Sequence, residues 1–383
     1  MSYYIGFASL LLGLMLPSAA QATSDTALRD KIGQMIVIGF HGKQVNANSL
    51  IIKSIQKDNL GGVILFDYDF QKKIYDKNIE NPSQVKKLNH DLQSFNLQGN
   101  IKNHRPEVPL FITIDVEGGK VNRLNERYGF RSIMSPAAVA KAGVKTAEIE
   151  AKVMAEQLKQ AGFNLDFAPL LDVNTNPANP VIGKNDRSFS NRSNDVIRYA
   201  AIYSRQLLEH NVQCAYKHFP GHGSAREDSH LGFVDVTNTW NQSELRPYKT
   251  LLNTKNSCDV VMTAHIVNKK LDPSGLPATL SHSILTGLLR GKLHYNGIIM
   301  TDDMQMKAIR EHYGLEKALV LTINAGADML VFGNNLSDKP QDPQEVIDII
   351  AAKVKSGEIK QARIEEAYQR ILSLKQSLNA PRV

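Results

Sequence analysis

Eight short apolar runs that do not alternate with polar residues recur along the chain, at 35–40, 62–66, 109–115, 163–169, 212–218, 259–265, 297–301 and 327–332. Strands of this kind must be covered on both faces, which a sheet open to water on one side cannot provide. Between the runs lie stretches with helical spacing. Examples are 146–161, with Ile149, Val153 and Leu158, and 194–210, with Ile197, Ala201 and Leu207. Asn194-Asp195 and Ser281-His282 read as helix starts. Strand and helix in alternation imply parallel pairing through crossovers, and eight such units close a (β/α)8 TIM barrel of the α/β class. An open doubly wound sheet would need a glycine-rich dinucleotide turn in its first unit, and two separate α/β domains would need a linker; neither is present. Two further helical segments, 343–356 and 361–378, are expected to pack outside the last strands.

With 42% hydrophobic and 22% charged residues among 383, the chain has the material for a large core and not the composition of a disordered or fibrous protein. Lys and Arg exceed Asp and Glu by 45 to 38, a net charge of +7. They are dispersed, with no stripe suited to tracking phosphates, so nucleic acid is not an expected partner. An anionic envelope polymer is compatible with such a surface. Residues 1–22 contain no charged side chain, and their apolar run, 5–16, is too short to span a bilayer. Ala20 and Ala22 supply the small-x-small pattern of a cleavage site. Residues 1–22 are therefore expected to be a secretion signal, and 23–383 a single exported domain, periplasmic or secreted, with no membrane span. Cys214 and Cys258 are too few for a disulfide framework and lack a CxxC neighbour. An oxidising compartment would let them pair, but two buried free thiols are the expected state.

In a barrel of this kind the reacting groups stand at the carboxyl ends of the strands and in the loops that follow. The third run ends in Asp115-Val116-Glu117-Gly118-Gly119, the fourth leads to Asp172, the fifth to Lys217-His218, the sixth to His265 and the seventh to Asp302-Asp303. So many ionisable groups on one rim would be costly to bury for stability alone. In 217–230, KHFPGHGSAREDSH, Pro220, Gly221 and Gly223 forbid a helix, leaving a strand end and a loop that carries Asp228 and His230. A carboxylate two residues from an imidazole can orient the ring and raise its pKa, so that it gives and takes a proton near neutral pH. Asp302 stands where the seventh strand stops and, kept ionised, can attack a carbon bearing positive charge. Asp303 is expected to cap a helix beginning near Met304.

KHFPGHG followed by DSH, IDVEGG with Arg123, the Arg187-Ser188-Phe189 turn and TDDM at the seventh strand together resemble glycoside hydrolase family 3. Within it they are similar to the single-domain β-N-acetylglucosaminidases of the NagZ type. The resemblance runs from about residue 28 to about 332. It implies a retaining mechanism through a covalent glycosyl-enzyme intermediate, with Asp302 as nucleophile, His230 as acid/base and Asp228 as the partner of that histidine. It places the sugar-binding positions at Asp115, Arg123, Arg187, Lys217 and His218. A carbohydrate substrate, non-reducing terminal GlcNAc on peptidoglycan fragments or chito-oligosaccharides, is implied; a monomer with no cofactor and no metal is the expectation set beside it. Val116 and Lys120 depart from residues common in relatives, and the long loop 67–82 after the second strand can wall a second subsite. Trp240, the single tryptophan, argues for a pocket that closes on one sugar over a long aromatic groove.

Three other readings compete. A β-glucosidase of the same family would generally draw its acid/base from an additional domain, whereas about fifty residues follow the eighth run here. A metal-dependent hydrolase would use His218, His222, Asp228, His230 and His265, but the spacing of His218 and His222 crosses Pro220 and Gly221, so helical convergence is not available. A non-catalytic sugar-binding protein would not need both Asp302 and the Asp228–His230 pair.

Overall fold

The computed structural model describes residues 19–337 and 339–379. Eight strands close a barrel in chain order: β1 (Ile36–Gly39), β2 (Gly62–Ile64), β3 (Phe111–Ile114), β4 (Leu165–Asp166), β5 (Gln213–Phe219), β6 (Val260–Thr263), β7 (Ile298–Asp303) and β8 (Met329–Phe332). All neighbours are parallel, and β8 pairs with β1. Every strand residue is buried except the last two of β7, as non-alternating runs require. Each strand falls within or overlaps its expected run, though β5 reaches on to Phe219 and β7 to Asp303.

Two breaks in register fall at the carboxyl ends. Tyr216 pairs with Val261 and Phe219 with Thr263, so β5 carries one residue more than β6 over that step. Met329 pairs with Met300 and Val331 with Asp303, so β7 carries one more than β8. An extra residue of this kind re-aims the side chains beside it. After β3 the chain makes a small hairpin of Val116–Gly118 and Val121–Asn122. Gly118 permits it: its φ is +94°, and a Cβ there would lie 2.2 Å from the Met134 carbonyl oxygen.

The helices correct several local expectations. In Val144–Ala161 the core face is built from Ala147, Ala151, Met154, Ala155 and Leu158, while Ile149 is 53% exposed. Ser193–Glu209 begins without a side-chain cap, and Asp195 instead accepts from Ser190 Oγ at 2.9 Å and Arg192 Nε at 2.7 Å. Ser281 does act at a start: its Oγ accepts the Ile284 N–H at 3.1 Å, opening a π-helix, Ser283–Lys292. The two final helices, Pro343–Lys355 and Gln361–Asn379, pack against the helix Ala19–Gln34. Of the expected leader 1–22, residues 1–18 lie outside the described residues. Among those described, no helix is long and apolar enough to cross a membrane.

The expectation of two free thiols is overturned. Cys214 and Cys258 form a disulfide, with Cα atoms 5.0 Å apart. They are separated by 44 residues in sequence but stand on neighbouring elements, Cys214 within β5 and Cys258 just before β6, and the parallel pairing of those strands brings them together.

Candidate active site

The carboxyl ends of the strands surround a cavity of about 270 Å³. That is slightly below the roughly 300–1,000 Å³ of sites for drug-sized ligands, a size suited to one small ring. All eight residues singled out in the sequence line it: Asp115 beyond β3, Arg123 beyond the hairpin, Arg187 in the segment after β4, Lys217 and His218 in β5, Asp228 and His230 in the following loop, and Asp302 in β7. Phe66, Phe167, Met262 and Val331 supply apolar wall. Lys217 and His218 are adjacent in sequence, as are Asp302 and Asp303, yet both members of each pair reach the cavity. The irregular steps in β5 and β7 account for this, since a regular strand would send neighbours to opposite faces.

Two cations of the site, Arg187 and Lys217, meet on one buried carboxylate. Glu117 accepts two bonds from Arg187, Nε to Oε2 and Nη2 to Oε1, each 2.7 Å. Lys217 Nζ lies 2.7 Å from Glu117 Oε1 and donates to Asp115 Oδ1 at 2.7 Å. Burial acts to raise the Glu117 pKa, but the charges of Arg187 and Lys217 outweigh it and hold the group at about 2. Arg187 and Lys217 are in turn raised despite burial, by Glu117 and by Asp115 foremost, respectively. Arg123 is more loosely placed, with Nη1 3.7 Å from Asp67 Oδ1 and its buried Nε without a partner among the described residues.

Asp172 organises the imidazoles of β5 and its loop. It accepts from His218 Nδ1 at 2.7 Å and from the His222 N–H at 2.8 Å. Burial would raise Asp172, but His218 outweighs it and keeps the carboxyl below its usual range. His265 spends both ring nitrogens within the fold, Nδ1 on Thr279 Oγ1 at 2.7 Å and Nε2 on the Asp303 carbonyl at 3.0 Å. The donor set imagined for a metal is therefore largely committed to other bonds.

Burial pushes the Asp302 carboxyl up, but the imidazoles of His265, His218 and His230 around it prevail and set it at about 2. Its Oδ1 accepts the Asp303 N–H at 2.8 Å, and among the described residues Oδ2 has no hydrogen bond. Asp303, by contrast, is raised to about 6 by burial. It does not cap a helix near Met304: its Oδ1 closes a turn on the Gln305 N–H at 2.9 Å, and the helix, Lys307–Tyr313, starts later.

Asp228 and His230 are paired. His230 Nδ1 donates to Asp228 Oδ1 at 2.7 Å and the His230 N–H reaches the same oxygen at 2.9 Å. Because a carboxylate only accepts, Nδ1 carries the proton and Nε2 is left to act. Burial lowers the His230 pKa, but the bond to Asp228 and the charge of Asp302 bring it above its ordinary 6.5. The arrangement thus offers an anionic oxygen and a proton-bearing imidazole on one cavity, with fixed cations beside them.

The sequence marked Glu117 and Asp172 as polar strand ends but gave them no role; each proves to be the hub of its cluster. Phe70, from the loop after β2, also lines the cavity and is 48% exposed. Its presence in a long loop was the only signal. Trp240 is structural: it is buried, and its Nε1 donates to the Pro220 carbonyl at 3.1 Å. Lys120 Nζ turns to the Lys184 carbonyl at 2.9 Å, and the Val116 N–H to Asp166 Oδ1 at 2.9 Å.

Known proteins share this architecture. A beta-hexosaminidase A from Pseudoalteromonas piscicida is 33% identical over 343 residues, which are 85% of this chain and 54% of that protein. A beta-hexosaminidase from Alkalilimnicola ehrlichii is 29% identical over 82% of this chain and 86% of its own. The solved structure of a glycoside hydrolase family 3 beta-N-acetylglucosaminidase from Paenibacillus sp. str. FPU-7 superposes with a TM-score of 0.81 at 35% identity, covering 93% of this chain and 64% of that one. The chain thus spans only part of the length of some relatives it matches. The family model for the glycosyl hydrolase family 3 N terminal domain matches residues 27–374, the whole barrel with the helix Pro343–Lys355 and most of the last one. With the barrel, the strand-end cavity and that match in agreement, the chain belongs to glycosyl hydrolase family 3.

Proposed function

We propose that the chain is a retaining, exo-acting β-N-acetylhexosaminidase that removes non-reducing terminal GlcNAc from peptidoglycan fragments or chito-oligosaccharides. The observation that carries this reading is the single cavity lined both by Asp302 and by the Asp228–His230 pair. In the first step Oδ2 of Asp302 attacks the anomeric carbon while the Nε2 proton of protonated His230 passes to the departing glycosidic oxygen. The leaving alcohol is neutral, and the sugar remains as an ester on Asp302. In the second step the now neutral Nε2 takes a proton from water as the water oxygen attacks the same carbon, and the ester bond breaks to restore the carboxylate. Two displacements at one carbon retain its configuration. Retaining enzymes ordinarily use a second carboxylate as acid/base; an imidazole in that place adds no second negative charge beside Asp302.

Asp115, Arg123, Arg187, Lys217 and His218 grip the sugar in this proposal, each charge-assisted bond worth roughly 1.5–3 kcal/mol. The names borne by the relatives support the 2-acetamido sugar as substrate. Export to the periplasm or beyond is supported by the uncharged first 22 residues and by the disulfide, since such bonds persist in oxidising compartments. The test compares an aryl N-acetyl-β-glucosaminide with an aryl β-glucoside, on the wild type and on Asp302→Ala. Turnover of the first substrate, lost in the variant while its circular dichroism is unchanged, is expected. Retained turnover would exclude Asp302 as nucleophile, and preference for the glucoside would exclude the hexosaminidase.

A further inference from the structure

Ser229 stands between Asp228 and His230 and differs from both. It is 2% exposed, whereas the side chains of its neighbours are 29% and 44% exposed. Its hydroxyl turns inward to His222, with Oγ 3.2 Å from Nε2, and His222 is itself buried. His222 is fixed on both sides of its peptide: its N–H donates to Asp172 Oδ1 at 2.8 Å and its carbonyl accepts from Asn179 Nδ2 at 2.8 Å. The chain beyond it is pressed against the segment after β4, where a Cβ on Gly223 would lie 1.7 Å from the Val173 carbonyl oxygen.

The next stretch is held far less. Among the described residues, the hydrogen bonds of 226–233 run within the stretch, as from the Leu231 N–H to the Asp228 carbonyl, apart from the one between Ser229 and His222. Leu231 and Phe233 on its outer side are 71% and 44% exposed, with the Phe233 ring edge-on to that of His312 at 5.8 Å. Among the described residues, the other ring nitrogen of His222, Nδ1, is buried without a partner, so the ring's hydrogen bond there is the one to Ser229.

We propose that His222 and Ser229 form a latch that holds the Asp228–His230 pair over the cavity, which makes both of them positioning residues for proton transfer. The proposal rests on the glycosidase reading given above. Pinning Ser229 fixes the backbone on either side of it, and with it the direction in which His230 presents Nε2. Burial keeps the His222 imidazole uncharged, with its pKa lowered to about 4, so the latch stays in one protonation state through neutral pH.

The test uses the dependence of acid catalysis on the leaving group. A sugar alcohol needs a proton to depart, while 2,4-dinitrophenolate does not, and a well-placed acid is worth roughly 10²–10⁴ in rate. kcat/KM, which reports the first displacement, is measured on N,N′-diacetylchitobiose and on the 2,4-dinitrophenyl N-acetyl-β-glucosaminide. Ser229→Ala is expected to lose at least about tenfold more on the disaccharide than on the dinitrophenyl substrate. Ser229→Thr keeps the hydroxyl and is expected to recover most of that difference. His222→Gln combined with Ser229→Ala should be little worse than Ser229→Ala alone, since both break one bond. Equal losses on the two substrates, or full activity of Ser229→Ala on the disaccharide, overturn the latch. A wild-type chain that cleaves neither substrate overturns the glycosidase reading itself, and the wild-type control separates the two failures.

Discussion

Glu117→Gln removes one negative charge from a site where two buried cations depend on it. The side chain of Glu117 is fully buried, and those of Lys217 and Arg187 are 2% and 10% exposed. In the variant Lys217 keeps Asp115, but Arg187 loses its only carboxylate among the described residues. Breaking a buried pair by removing one partner costs roughly 3–5 kcal/mol. The pKa gives an independent figure. Between an ordinary 4.5 and about 2, at roughly 1.4 kcal/mol per pH unit, the folded state favours the ionised form by roughly 3–4 kcal/mol. Because the folded value is the lower one, this stability is present above pH 4.5 and fades as pH falls through about 2. Urea unfolding at pH 7 should therefore show Glu117→Gln less stable by about 3 kcal/mol or more, and the gap should shrink when the titrations are repeated at lower pH. A variant within 1 kcal/mol of wild type at pH 7, or a gap that stays constant with pH, would refute the reasoning that this carboxylate is what makes the buried cations tolerable.

If His230 gives the proton, kcat/KM should fall as pH rises past its pKa, which lies above 6.5; Asp228→Asn, which removes the main raising influence, should move that alkaline limb to lower pH. Replacing Cys258 with Ser opens a loop with a sequence separation of 44, for which chain entropy gives roughly 4 kcal/mol of lost stability, read by calorimetry or urea unfolding against the oxidised wild type. Phe70→Ala strips an exposed ring from the cavity rim and should raise KM roughly two- to tenfold more for N,N′-diacetylchitobiose than for N-acetylglucosaminyl fluoride, whose leaving group has no second ring to stack; equal effects on both would remove the loop after β2 from any second subsite.

The eight strands were legible because burial on both faces leaves a local mark, a run of apolar residues that needs no knowledge of partners. Lys217-His218 and Asp302 were legible for the converse reason, charge at the end of an apolar strand, whereas Asp228 and His230, in the loop beyond β5, were legible from a carboxylate set two residues from an imidazole and from the family resemblance of that loop. What could not be read was pairwise. Glu117 looks like any rim carboxylate until Arg187, some seventy residues on, is found against it. The barrel makes β5 and β6 neighbours, but the disulfide also needs the register that sets Cys214 beside Cys258, and nothing around either cysteine signals that. Ile149 misled because the helix turns its alanines to the core, where close packing against the helix Ser193–Glu209 favours small side chains over a large one. The helix after β7 starts late because Asp303 and Gln305 first close a turn, a choice between two local bonding patterns that residue types alone do not decide.

The extra residues in β5 and β7 have a consequence for how this cavity tolerates change. Each lets one strand present two consecutive functional groups, so the chemistry depends on a count of backbone units as much as on which side chains are encoded. A deletion that restored even pairing would leave the strands able to pair yet remove or turn away one of Lys217 and His218, or one of Asp302 and Asp303. Substitution can therefore retune this pocket gradually, whereas loss of a single residue at either strand end changes which groups face it in one step.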